Sequence, residues 1–376
     1  MFWRHLRLAV ASLILGAGLL LAAAPAADIP FTRIVVDNAP PRNPWYKILG
    51  DVNADGQVDI IVGGSRGPLV WYAAPHWKKA EIAPGGYDGV NGEMGDIDAD
   101  GNPDLVLGGV IWFRNPGPGG GTWKRIVIDR MRAHDIELAD LDGDGRIDVV
   151  ARDQSAFGKA GDKVILYRQA GPESWQRRVL ACPHGEGLKL ADLDRDGDAD
   201  VVLGGRWFEN PGAVHEKEWA EHVFTAEWTH PDAKVETADI NGDGRIDIVL
   251  TPAELAGQVY RVSWFEAPAD PRGKWPEHVI ADGVEAVLHS LAVADMDRDG
   301  TMDVVTAEMH QGKDPDEVIV YRNAGSGRAW RKQVISTAGS HDVAAADLDG
   351  DGRIDLVGAN HGGSVQPLEL WMNGTK

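Results

Sequence analysis

A single cysteine, Cys182, is all that the sequence holds, so no disulfide can form within the chain. Apolar residues show no helical period after the N-terminal stretch, and no later run is long and apolar enough to cross a bilayer. Zinc-finger spacings, phosphate loops and serine-nucleophile elbows are also missing. These absences exclude a disulfide scaffold, a helical bundle and a multi-span membrane protein. Positive charge is scarce as well, with 37 Lys and Arg against 58 Asp and Glu and a formal net charge of −21. Nucleic-acid binding therefore has no support. Hydrophobic residues make up 43% of the chain, enough for a packed core, so the acidity is not that of a disordered tail.

Arg4 and Arg7 precede an apolar run from Leu8 to Leu21, and Ala-Pro-Ala-Ala follows before Asp28. That order predicts a secretory signal peptide over residues 1–27 and a secreted or periplasmic domain over 28–376. The apolar run is short for a spanning helix, so no stable membrane insertion is expected after cleavage. Without disulfides, such a domain needs another clamp, and metal is a candidate.

The acidic residues are periodic. Nine-residue segments that align without gaps start at Asp51, Asp96, Asp140, Asp192, Asp239, Asp295 and Asp347. The spacings are 45, 44, 52, 47, 56 and 52 residues. Each segment follows a short apolar stretch and precedes a Val- or Ile-rich one. An aromatic pair such as Trp71-Tyr72 or Trp207-Phe208 comes next, and then a second Trp such as Trp77 or Trp219. Four short antiparallel strands per unit at this period predict an all-β fold, a seven-bladed β-propeller. The last unit stops before its fourth strand, and Phe31–Val36 matches what is missing. The N-terminal strand is thus expected to close the ring.

Positions one, three, five and nine of each segment carry oxygen donors. They are Asp51, Asn53, Asp55 and Asp59; Asp96, Asp98, Asp100 and Asp104; Asp140, Asp142, Asp144 and Asp148; and Asp192, Asp194, Asp196 and Asp200. Asp239, Asn241, Asp243 and Asp247; Asp295, Asp297, Asp299 and Asp303; and Asp347, Asp349, Asp351 and Asp355 complete the set. Gly stands at position six throughout, where a tight turn needs it. A hard dication takes six to eight oxygens on such a loop, with a backbone carbonyl at position seven. The competing reading is a row of metal-free Asp-Gly turns. Clustered carboxylates repel without a cation, which favours up to seven calcium ions. The loops take 26 of the 58 carboxylates and leave 32 against 37 basic residues. Seven calcium ions would move the formal charge from −21 to −7, so the acidity belongs to the loops. No Glu stands at position twelve, so these are not EF-hands.

On these residues the units resemble FG-GAP/VCBS repeats, the calcium-loop propeller of integrin alpha subunits and many secreted bacterial proteins. The resemblance covers essentially all of 28–376. It implies the fold and the calcium, and leaves function open, because this fold hosts adhesion, ligand binding and catalysis alike.

The loops should share one face of the disc, and the other face collects a second set of polar residues. His134, His289 and His341 lie six positions before a loop. Arg66, Arg152, Asp153, Arg206, Glu254, Glu308, His310, Asn360 and His361 follow second strands. Such a mouth suits a polar, anionic or sugar-like ligand, although a His at a strand start can equally pack or cap a turn. Three positions before the loop, blades two to five carry Glu93, Glu137, Lys189 and Glu236, and the other blades carry apolar residues. These four predict either a one-sided polar pocket or an ion-pair set around Lys189.

Two functions fit. The resemblance implies one, since some similar seven-bladed propellers are polysaccharide lyases or sugar dehydratases: a carbohydrate-active protein, a carbon–oxygen lyase on a uronate polysaccharide or keto-sugar, with His134 or His289 as base and Arg152 or Arg206 as clamp. The other is a non-catalytic module that binds a protein or glycan. A monomer is expected in either case.

Overall fold

The computed structural model describes residues 27–64, 67–85, 89–154, 161–313, 315–362 and 367–375. The expected leader, up to residue 26, and Arg66 lie outside these residues. All regular structure among the described residues is β: 28 strands in seven four-stranded antiparallel sheets. The innermost strands of successive sheets neighbour one another around a ring, and that of blade seven (Ala344–Ala346) returns to that of blade one (Tyr46–Gly50). This is a seven-bladed propeller.

Burial explains the strand sequences. Second strands such as Asp59–Gly63, Asp104–Leu107 and Asp200–Leu203 are buried at every residue, because each has a neighbouring blade on both faces. They therefore read as continuous apolar runs and do not alternate. The outermost strands, such as Lys78–Ala83 and Ser174–Ala181, are polar and largely exposed, and their Lys and Arg blunt a free edge. The core is seven interblade clusters in place of one centre. Between blades four and five, Trp207, Phe224, Trp228, Phe265 and Trp275 pack together. The third-strand indoles Trp112, Trp207, Trp264 and Trp371 are among the largest fully buried side chains.

Ring closure follows the sequence expectation. Phe31–Asp37 pairs antiparallel with Leu368–Asn373 and is the outermost strand of blade seven. Arg33 also pairs with Glu369. The residues before this strand add an anchor that the sequence did not suggest. Ile29 is 4% exposed, sits in the cluster between blades six and seven, and exchanges backbone hydrogen bonds with the Gln333 amide at 2.9 and 2.7 Å. No helix among the described residues is long and apolar enough to cross a membrane.

Candidate functional site: acidic loops on one face, a buried His/Glu cluster at the other

Every acidic loop joins a first strand to a second, so all seven share one face. The position-one carboxylate organises the turn. Asp51 accepts the N–H of Asp55 at 3.0 Å and that of Gly56 at 2.8 Å, and the pattern recurs through to Asp347 with Asp351 and Gly352. The position-six glycines have φ between +81° and +100°, a region costly for other residues. Position four is left-handed too, even where it is Ala54, Ala99, Arg195 or Arg298. The position-nine aspartate ties the loop to its blade. Asp148 accepts from Leu141 N at 3.1 Å and from Gln169 N at 2.8 Å, and is wholly buried. Burial, with the nearby aspartates adding to it, raises Asp104, Asp148, Asp200, Asp247 and Asp303 to about 7.

These loops have oxygen to spare for a cation. In blades two, three and six an arginine holds one position-three oxygen: Arg114 on Asp98, Arg168 on Asp142, Arg322 on Asp297. The other oxygen, Oδ1 in each, is buried without a hydrogen-bond partner. Ligand atoms of Asp96, Asp98 and Asp104 lie within 4.8 Å of one another, as do those of Asp140, Asp142 and Asp148 and of Asp192, Asp194 and Asp200. An all-oxygen, partly buried set on a tight turn fits calcium.

The tunnel between the faces holds a cavity of about 640 Å³. The four inner charges line one side of it. Lys189 Nζ lies 3.1 Å from Glu137 Oε1 and 3.2 Å from Glu236 Oε1. Glu93 accepts the N–H of Leu138 at 2.6 Å. The set is thus an ion-pair network that is also a tunnel wall. Burial, with one ammonium among three carboxyls, raises Glu93 to about 7 and Glu137 to about 8.

At the end of the tunnel away from the loops, His134, His289 and His341 converge as their equivalent positions imply, but they are sealed, at 0 to 3% exposure. His134 Nε2 lies 3.3 Å from His289 Nε2. His341 stacks on His289 with ring centroids 4.1 Å apart, and its Nδ1 is 2.6 Å from the Trp45 carbonyl. Two glutamates complete the cluster. Glu186 Oε1 is 3.3 Å from His134 Nε2, and Glu254 Oε1 is 3.3 Å from His289 Nε2. Behind the rings stand Asp135, 3.0 Å from His134 Nδ1, and Asp342, 3.6 Å from His289 Nδ1. Lys234 bridges these outer carboxylates, at 3.9 Å from Asp135 and 3.0 Å from Asp342. Burial works against charge on His289, but Asp342, Glu186 and Glu254 outweigh it and raise the ring to about 10. His341 goes the other way, far below its usual value, through burial and the adjacent His289.

The remaining expected residues divide. Arg152 is buried, with its guanidinium committed to the carbonyls of Glu186, Gly187 and Pro183 at 2.7, 2.6 and 3.3 Å. That is a structural clamp between blades three and four. Asp153 is buried at the end of its strand. Arg206 pairs with Glu221 and lies in a shallow pocket with His184, Trp228 and His230, apart from the cluster. His310 and His361 sit edge to face at 4.2 Å, and His361 contacts His341. Burial, then His310 and His289, lower His361 to about 3. Asn360 Oδ1 accepts the His310 N–H at 3.0 Å. Glu308 lines a separate cleft of about 700 Å³ with Lys313, Glu317, Tyr321 and Trp330.

Sequence reasoning missed Glu186, Asp135, Lys234 and Asp342. A signal for them existed: Glu186 occupies the position of His134, His289 and His341, six before a loop. Asp135, Lys234 and Asp342 share the next position.

Seven blades with an acidic loop at each first turn define a repeat-built propeller with its acidic loops on one face. The chain belongs to the FG-GAP-like repeat family, whose model matches residues 51–107, 192–250, 239–306 and 307–358. It is similar to the rhamnogalacturonan endolyase YesW of Bacillus subtilis, 21% identical over 268 residues, which are 64% of this chain and 39% of that one. The chain thus spans well under half the length of that relative. Among solved structures it resembles the BBS1N chain in complex with ARL6DN, soaked with mercury, at 13% identity and TM-score 0.57, covering 91% of this chain and 96% of the other. The Vibrio cholerae biofilm matrix protein Bap1 matches at 12% identity and TM-score 0.50, covering 92% of this chain and 91% of the other. At such identities these two likenesses concern the fold.

Proposed function

We propose that the protein is a secreted or periplasmic, calcium-clamped propeller that binds an acidic polysaccharide at the face opposite the loops and acts on it as a lyase. The observation that carries this reading is the placement of His134, Glu186, Glu254, His289 and His341 together at one end of the tunnel. Closing a propeller needs no such charges, and burying them is costly unless they serve a ligand. The similarity to a rhamnogalacturonan endolyase points to uronate-containing glycans. Lyase chemistry removes the proton alpha to the uronate carboxylate, and the bond to the leaving oxygen beta to that carbon then breaks. An imidazole accepts the proton, and cationic groups stabilise the enolate. His134 is the candidate for the base and His289, which its carboxylates hold protonated, for a cation beside the enolate, and calcium in the loops holds the blades in register.

A second reading, a non-catalytic binding module, is favoured by the sealing of the histidines at 0 to 3% exposure. One assay separates the two. Purified protein in millimolar calcium is incubated with rhamnogalacturonan and with other uronate polysaccharides, and ultraviolet absorbance of the new double bond is followed alongside affinity electrophoresis. The lyase reading expects rising absorbance that His134→Ala abolishes. Retarded migration without absorbance leaves the binding module, and neither signal on any glycan overturns the proposal.

A further inference from the structure

We infer that His134, Glu186 and His289 form a binding site for one zinc-class divalent transition-metal ion, an occupant that excludes the use of either imidazole as base, distinct from the calcium loops and at the opposite end of the tunnel. The donors come from three blades. His134 opens the innermost strand of blade three, Glu186 precedes that of blade four, and His289 precedes that of blade six.

Their separations suit a metal. Donors about 2.0–2.2 Å from a tetrahedral zinc lie about 3.3–3.5 Å from one another. The distances found are 3.3 Å from His134 Nε2 to His289 Nε2, 3.3 Å from His134 Nε2 to Glu186 Oε1, and 3.5 Å from His289 Nε2 to Glu186 Oε2. The two edges to Glu186 end on different oxygens of one carboxylate, so the glutamate spans the pair of imidazoles, and one donor atom from each of the three residues lies within 4.8 Å of the others. Two histidines and one glutamate are also a donor set that zinc takes when its fourth position is left open.

The surroundings point the same way. Glu186 is 1% exposed, and its Oε2 has no hydrogen-bond partner. Asp135 and Asp342 stand behind Nδ1 of the two histidines at 3.0 and 3.6 Å. Neither Nδ1 makes a hydrogen bond of good geometry as the rings stand, but a small turn of each ring would let its carboxylate hold the Nδ1 proton, the usual setting of a metal-bound histidine. Lys234 and the Gly187 N–H, 2.9 Å from Asp135, fix these outer carboxylates in turn. Two imidazole nitrogens and a carboxylate then face one another, and a metal ion or a proton between them relieves that. Glu254 lies beside the triad, 3.3 Å from His289 Nε2, with its side chain 10% exposed against 0 to 2% for the other three. It marks the side from which an ion and water enter, and it accepts a hydrogen bond from a water in the fourth position.

The competing occupant is a proton shared by the two histidines. The test uses metal alone, so its result does not depend on whether a polysaccharide binds. Full-length protein, stripped of metal and returned to millimolar calcium, is titrated with Co²⁺ and with Zn²⁺. We expect one equivalent of Co²⁺ with the intense visible bands of a tetrahedral site, displaced by Zn²⁺ and retained against the calcium. Glu186→Gln and His289→Gln should abolish the bands. Asp135→Asn should weaken zinc binding by about 10–100-fold while leaving the donors in place. Near-ultraviolet circular dichroism in calcium reports whether each variant is folded. If His289→Gln does not fold, the Asp135→Asn affinity and the wild-type spectrum still decide. Wild-type protein without tetrahedral cobalt bands, or folded variants that bind Co²⁺ as wild type does, would establish the proton-linked pair and overturn the metal site.

Discussion

Replacing Lys189 by Met would remove the one ammonium from a wall with three carboxyls. Its Nζ is 3.1 Å from Glu137 and 3.2 Å from Glu236, and its side chain keeps 29% exposure. Stranding a fully buried partner costs about 3–5 kcal/mol, and partial exposure reduces that here to roughly 2–4 kcal/mol with the carboxyls ionised. The loss must depend on pH. A carboxyl whose pKa is raised on folding stabilises the fold while protonated, and that contribution fades as pH rises through the folded value. For Glu93 and Glu137 the window runs from the unfolded value up to about 7 and about 8. Lys189 itself is raised, first by Glu236, so it stays an ammonium throughout this range and the pH dependence comes from its partners. At pH 5 Glu93 and Glu137 are largely neutral, so the variant should lose less than it does at pH 9, where it should lose the roughly 2–4 kcal/mol above. Urea unfolding of both proteins at pH 5, 7 and 9 in saturating calcium measures the difference. A penalty that is the same at pH 5 and pH 9 would refute the coupling of Lys189 to these glutamates.

Two further perturbations probe the clamp and the closure. Excess chelator should lower the melting temperature strongly, because each loop contributes on the order of 1–3 kcal/mol at saturating calcium; an unchanged melting curve would reject calcium as a stabiliser. Deleting residues 31–36 should expose Leu368–Asn373 as an edge and give aggregation or a large loss of stability, measured by light scattering and thermal melts. A monomeric deletion variant as stable as the parent would show that blade seven does not need its fourth strand.

The fold was legible because its information is local and repeated. An Asp-rich turn with Gly at position six, an apolar run after it and a Trp or Tyr in the third strand each reflect a requirement that every blade meets alone. Closure was legible because Phe31–Val36 carries the pattern of an outer strand. The tunnel end was harder. The positions of His134, His289 and His341 were readable, but Glu186 in the same register was overlooked because the pattern sought was one residue type, not one position. Burial was not legible at all. The guanidinium of Arg152 could equally have met a ligand, and what removes it is three backbone carbonyls brought close by tertiary packing. Nor could spacing choose between pocket and ion pairs for Lys189, since both place the same charges on one wall.

The latch between Arg33 and Glu369 spans 336 residues. Arg33 is made before all the residues that separate it from Glu369 and must wait, unmatched, until they have followed. Assembly can advance blade by blade through short-range pairings, yet the circle becomes a circle only in its final event, and contacts so distant in sequence form slowly. The same geometry works in reverse: for the disc to come apart from its ends, this one seam must open. The seam has two parts, the seven-residue strand Phe31–Asp37 on its neighbour and the apolar cluster where blade one packs on blade seven, and both must let go before the disc opens.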